Sequence, residues 1–157
     1  MEELAESAFS ASLMRLIADT KVVAVKAGPG TGSIFTLHLR PAAGQVRYLM
    51  VYCAWKLLRA GRVACTWQDP EAYLVATLSA HEGETVESAR VASGGDVELT
   101  LQSGAAIKLF VDSVTQDMPL DEYSSCDYFL QGAEGIFSCI RGGFYKEEAK
   151  PVGQQSV

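Results

Sequence analysis

Four cysteines are the side chains here best suited to chemistry. Cys53 and Cys65 bound the run "CAWKLLRAGRVAC", and Cys126 and Cys139 bound "CDYFLQGAEGIFSC". Four thiolates hold zinc when tight CxxC knuckles present them in pairs, and no such pair occurs. Three uses stay open: thiols packed as small apolar groups, a metal site, and cross-strand disulfides in an oxidising compartment. The two histidines are His38, in "FTLHLR" on the wetter side of an alternating strand, and His81, at a helix end that favours a partly positive ring. Neither belongs to an HExxH arrangement, and the chain has no GxSxG or P-loop. "GPGTG" (Gly28 to Gly32) has a phosphate-loop composition, but it joins two strand-like segments and no Lys-Ser/Thr follows, so it reads as a hairpin turn. The expectation is a protein that is not an enzyme and carries no cofactor.

Acidic residues bunch at Asp112, Asp117, Asp121, Glu122 and Asp127, with Met118 and Tyr123 among them. Three readings fit: a solvated loop, a docking surface for a basic partner, and a calcium site, which lacks EF-hand spacing. Under the docking reading, Asp112, Asp117, Asp121, Glu122 and Tyr123 are the partner-binding residues.

The totals narrow the class. The 157 residues suffice for one domain with a core, and 48% apolar with 20% charged residues is ordinary for a folded protein. The net charge of −6 disfavours general nucleic-acid binding, which needs clustered Lys and Arg. No apolar run is long enough to span a membrane, and the acidic start lacks the basic region of a secretory signal. A cytoplasmic location is expected.

Stepping along the chain, Leu4, Ala8, Phe9, Leu13, Leu16 and Ile17 recur at helical spacing behind Glu2, Glu3 and Glu6, predicting an N-terminal helix ended by Asp19-Thr20. "KVVAVKA", "SIFTLHL", "QVRYLMVYCAWKLL" and "RVACTW" predict an antiparallel meander. "DPEAYLVATLSAHEG" predicts a short helix, with Asp69 as cap, Pro70 at the first position, a stripe of Tyr73, Leu74, Thr77 and Leu78, and Gly83 as stop. "ETVESARVA", "DVELTLQ", "AIKLFV", "CDYFLQG" and "GIFSCIRGG" predict a second meander. The predicted fold is α+β and mostly antiparallel β: one domain over 1–148, with halves at about 20–68 and 84–145, and a disordered tail at 149–157.

The halves repeat one pattern. Val22 falls against Val86, Leu37 and Leu39 against Leu99 and Leu101, Trp55 against Tyr128, Leu57 against Leu130, and Val63 against Ile136. One meander exposes an apolar face that it cannot bury alone, so two such halves must shelter each other in a sandwich, a continuous sheet or a barrel.

"CAWKLLRAGRVACTWQD", "GETVESARV…GDVELTLQSGAAIKLF" and "DYFLQGAEGIFSCIRGG" together resemble small bacterial β-rich immunity proteins found beside polymorphic toxins, over residues 20 to 145. That resemblance implies no catalytic residue. It implies a partner, a cognate toxin domain such as a nuclease with a basic cleft, blocked sterically and electrostatically as in contact-dependent growth inhibition. The alternative expectation is a small-molecule-binding domain or enzyme with a pocket between the halves.

Overall fold

The computed structural model describes residues 1–111 and 126–149. Its elements are β1 (Glu2–Glu3), α1 (Glu6–Ile17), β2 (Lys21–Ala27), β3 (Phe35–Arg40), β4 (Arg47–Val51), β5 (Ala54–Arg59), β6 (Arg62–Thr66), α2 (Glu71–Ser79), β7 (Val86–Val91), β8 (Val97–Leu101), β9 (Ala106–Phe110), β10 (Cys126–Gly132), β11 (Gly135–Ile140) and β12 (Gly143–Glu147).

α1 forms where Phe9, Leu13, Leu16 and Ile17 share one buried stripe, with Glu6 in its first turn and Arg15 in its last, each suiting the helix dipole. Glu2 and Glu3, expected in the helix, instead form β1 opposite Lys146 and Tyr145. A carboxylate facing a lysine across strands favours that pairing. In α2, Leu74, Thr77 and Leu78 are buried. Asp69 does not cap it, because its carboxylate accepts the Thr66 N–H at 2.8 Å. Tyr73 leaves the expected stripe for solvent, and its hydroxyl donates to the Ala64 carbonyl at 2.7 Å.

The strands make two antiparallel sheets, in the orders β1-β12-β11-β10-β4-β3-β2 and β6-β5-β9-β8-β7, with no closed barrel. "QVRYLMVYCAWKLL" is two strands in different sheets. The chain crosses between them at Tyr52 and Cys53, whose N–H groups both donate to the Asp127 carbonyl at 2.9 Å. Leu49, Val51, Cys53, Trp55 and Leu57 stay buried through the crossing, so alternation alone gives no sign of the break. β12 extends through Lys146 and Glu147, beyond the hairpin expected there, because it pairs with β11 and sets Phe144 against Phe9 at 4.8 Å between ring centroids.

The duplication holds at the level of register. β2 and β3 slip register between Val22 and Ala24, and β7 and β8 slip at the matching place, between Val86 and Ser88. Trp55 faces Leu109 as Tyr128 faces Val51, and Leu57 faces Ile107 as Leu130 faces Leu49. The Trp55 indole N–H donates to the Ser33 carbonyl at 2.8 Å, and the Tyr128 hydroxyl donates to the Gly95 carbonyl at 2.7 Å, each acceptor lying two residues before the second strand of its half. Around a bridge between Lys21 and Thr85, Asp19 N–H donates to Val86 O as Gly83 N–H donates to Val22 O. Val86 N–H donates to Thr20 O as Val22 N–H donates to Glu84 O, which completes a pseudo-twofold set.

The halves are nevertheless not the sheets. The hairpin β5–β6 of the first half pairs with β9 of the second, and the hairpin β10–β11 of the second pairs with β4 of the first. Helices cross over too: α1 packs on β7, and α2 on β2. One hydrophobic cluster joins both sheets and both helices.

Candidate functional site

Asp112, Asp117, Asp121, Glu122 and Tyr123 lie outside the described residues, as does Met118. The fifth acidic residue, Asp127, is buried, and its carboxylate accepts the Arg141 N–H at 2.9 Å. It serves the crossing between sheets and no docking surface.

All four cysteines are free thiols; Cys53, Cys65 and Cys139 are buried and Cys126 is half-buried. Burial pushes the Cys53, Cys126 and Cys139 thiols up to about 12, and the nearby Asp127 charge adds to it. Cys65 is raised to about 11 by burial and by Asp69. The bounding cysteines are not matched across their hairpins, since Cys65 faces Leu57, Cys139 faces Tyr128 and Cys126 faces Ile140. Among the described residues no group of three His, Cys, Asp or Glu side chains is placed to hold a metal ion.

His81 sits just past α2, buried in a polar chain. Its Nδ1 lies 2.5 Å from Glu84 Oε2, and its Nε2 accepts the Arg59 Nε–H at 3.1 Å. An acceptor Nε2 fixes the proton of the neutral ring on Nδ1, donating to Glu84. Glu84 in turn accepts the Ser103 N–H at 2.8 Å. Every polar atom of the ring is spent on its neighbours, so this chain joins α2, β5 and the β8–β9 turn and offers no free base.

"GPGTG" is a turn between β2 and β3. The Gly30 and Gly32 N–H groups donate to the two Glu71 carboxylate oxygens at 2.9 and 2.8 Å. In the other half, the Gly94 N–H donates to Glu6 at 2.8 Å. Each helix thus opens with a glutamate that clasps the first strand turn of the opposite half. A shallow depression of about 500 Å³ beside this clasp is lined by Ala27, Pro29, Ala72, Val75 and Ala76, with Glu71 and Ser79 its polar side chains.

The outer faces of the two sheets differ most. On the smaller sheet, Arg90, Glu98, Lys108 and Lys56 stand in one row across four strands. Glu98 lies 3.4 Å from Arg90 and 3.9 Å from Lys108. The matching row on the larger sheet is Lys26, Thr36, Met50 and Phe129. The next row adds His38 beside Tyr48, with ring centroids 4.8 Å apart and edge to face. Tyr52 completes the patch, its ring 6.3 Å from Phe129 and its hydroxyl donating to Met50 Sδ at 2.8 Å. Tyr48 and Tyr52 are 41% and 40% exposed. His38 is held below its usual value by partial burial and by the Lys26 charge, which keeps the ring neutral at neutral pH. Where one copy wears a ladder of four charges, the matching row of the other keeps only Lys26 as a charge, and two tyrosines and a histidine stand beside its methionine and phenylalanine, with no carboxylate among them. Sequence reading placed His38 on the wetter face but missed this patch. Its signal was present: the polar positions of a one-sided strand are filled in "RYLMVY" by Tyr48, Met50 and Tyr52.

No protein-family model, curated protein or solved structure matches this chain. Among the described residues no helix is long and apolar enough to cross a membrane.

Proposed function

We propose that this protein works by binding another protein on the outer face of its larger sheet, without catalysis, and that the partner is a toxin domain which it neutralises. The observation that carries the docking face is the contrast between duplicates: the four-residue charged ladder of one sheet is answered on the other by Lys26, Thr36, Met50 and Phe129, with Tyr48 and Tyr52 half-exposed beside them. Rigid aromatic side chains on a regular scaffold supply most of the energy in protein interfaces. Tyr48 and Tyr52 leave 41% and 40% of their surface uncovered on this face, apolar area that a partner can bury. The toxin as partner rests on the resemblance to immunity proteins and on the net charge of −6, which steers a protein toward basic clefts.

The test is growth rescue and co-purification with the toxin domain encoded beside the gene. Tyr48→Asp with Phe129→Asp is expected to abolish both, whereas Lys56→Glu with Lys108→Glu on the smaller sheet leaves both intact. Reversing Asp117, Asp121 and Glu122 should slow association at low salt. Full protection by the Tyr48/Phe129 variant would remove the docking face, and rescue that does not need this protein would remove the toxin.

The second reading, a small-molecule binder, has the depression beside α2 as its site. Thermal stabilisation by a metabolite in the absence of any protein partner would favour it.

A further inference from the structure

Neither half contains the strands that complete its own sheet. The outer edge of β4 is covered by β10, which comes from the other half, and the outer edge of β9 is covered by β5. The helices and the glutamate clasps are exchanged in the same reciprocal way, Glu6 holding Gly94 and Glu71 holding Gly30 and Gly32. The two first strands then meet at the Lys21–Thr85 bridge. This is the arrangement of a dimer that has exchanged arms about a twofold axis. The covalent link between the halves is short and lies at the surface: Trp67 and Gln68 are exposed, between β6 and Asp69.

We propose that each half is the specific binding partner of the other. The two seams, β4 with β10 and β9 with β5, form an interaction surface that recognises the complementary half in trans, and the peptide link at Gln68–Asp69 acts only by raising local concentration. The partner is defined by its chemistry: an antiparallel hairpin that places an aromatic and a leucine two residues apart (Tyr128 and Leu130, or Trp55 and Leu57) against two apolar residues of the receiving strand. That aromatic must also reach back to a carbonyl at 2.7–2.8 Å. The inference does not depend on the toxin reading.

The experiment uses the full chain with a protease recognition sequence inserted between Gln68 and Asp69, folded and then cut. The two fragments are expected to elute together at the mass of the uncut chain, separate only in denaturant, and re-form a one-to-one complex on its removal. About tenfold dilution should lower the melting temperature of the cut form by a few degrees and leave that of the uncut form unchanged. Fragments that part on native gel filtration, or that run as separate folded monomers, overturn the proposal. A circular permutant serves where the insertion itself harms folding. Glu2 and Glu3 pair with Lys146 and Tyr145, so a Gly/Ser linker from Val157 to Met1 allows the chain to start at Asp69. The permutant should melt within a few degrees of the natural order, and a permutant that does not fold overturns the proposal.

Discussion

Trp55 and Tyr128 occupy equivalent places, fully buried, and each spends its one polar hydrogen on a carbonyl of its own half. Burial, with Cys139 nearby, drives the Tyr128 hydroxyl well above its usual value, so it is a permanent donor. Tyr128→Phe strands the Gly95 carbonyl and should cost about 1–3 kcal/mol in urea unfolding. Trp55→Phe loses the matching bond and leaves a void as well, so it should cost more. With thiols raised to about 11 and 12, alkylation at pH 8 should be slow for all four cysteines in the native protein and rapid in guanidinium, read by mass spectrometry. Glu134 is held below the usual carboxylate range, first by the hydrogen bond from Arg47 at 3.1–3.2 Å and against a smaller opposing effect of burial. A depressed folded value means that this pair stabilises above the unfolded carboxylate range and stops doing so as pH falls through the folded value. Glu134→Gln should therefore lower stability at pH 7 and flatten the loss below about pH 4. At this scale the sequence matched Trp55 to Tyr128 through apolar pattern and turn position. Their acceptors were hidden, because a backbone carbonyl leaves no mark on residue type.

Gly135 shows how tightly the elements are joined. Its φ is +121°, and a Cβ there would meet the Glu147 carbonyl at 2.4 Å, with backbone on both sides of the clash. Gly135→Ala should cost about 1–3 kcal/mol and loosen β12 before the rest, as amide exchange at Phe144 to Lys146 would report. Glu71→Ala removes the acceptor of two turn amides, and exchange at Gly30 and Gly32 should rise sharply while global stability changes little. Both helices and nearly every strand were legible as periodicity: stripes at helical spacing in α1 and α2, and alternation in "VELTL" and "FTLHL". The break at Tyr52–Cys53 was not, since alternation carries a chain through a crossing unchanged. β12 was not either, because polar Lys146 and Glu147 are strand only through pairing with β11.

At the scale of the molecule, exchanged arms tie the two halves into one cooperative unit. Leu57→Ala and Leu130→Ala sit in opposite halves and opposite sheets, yet each should cost about 2–5 kcal/mol. Each should also leave a single unfolding transition in which circular dichroism and tryptophan fluorescence coincide. A half that melted alone would separate the two signals. The duplication was readable from turns and apolar matches, whereas the exchange was not, because pairing β5 with β9 in place of β10 changes no residue pattern within either strand. The aromatic patch was marked in "RYLMVY", but deciding that Tyr48 and Tyr52 stay uncovered requires knowing where the two helices pack.

The exchange also sets a timetable for synthesis. β4 leaves the ribosome long before β10 does, with some eighty residues between Val51 and Gly132. At about 5–20 residues per second, that strand waits roughly 4–16 s with an open edge and an apolar face. For that interval the nascent first half is the species most exposed to aggregation, and the one a chaperone would have reason to hold.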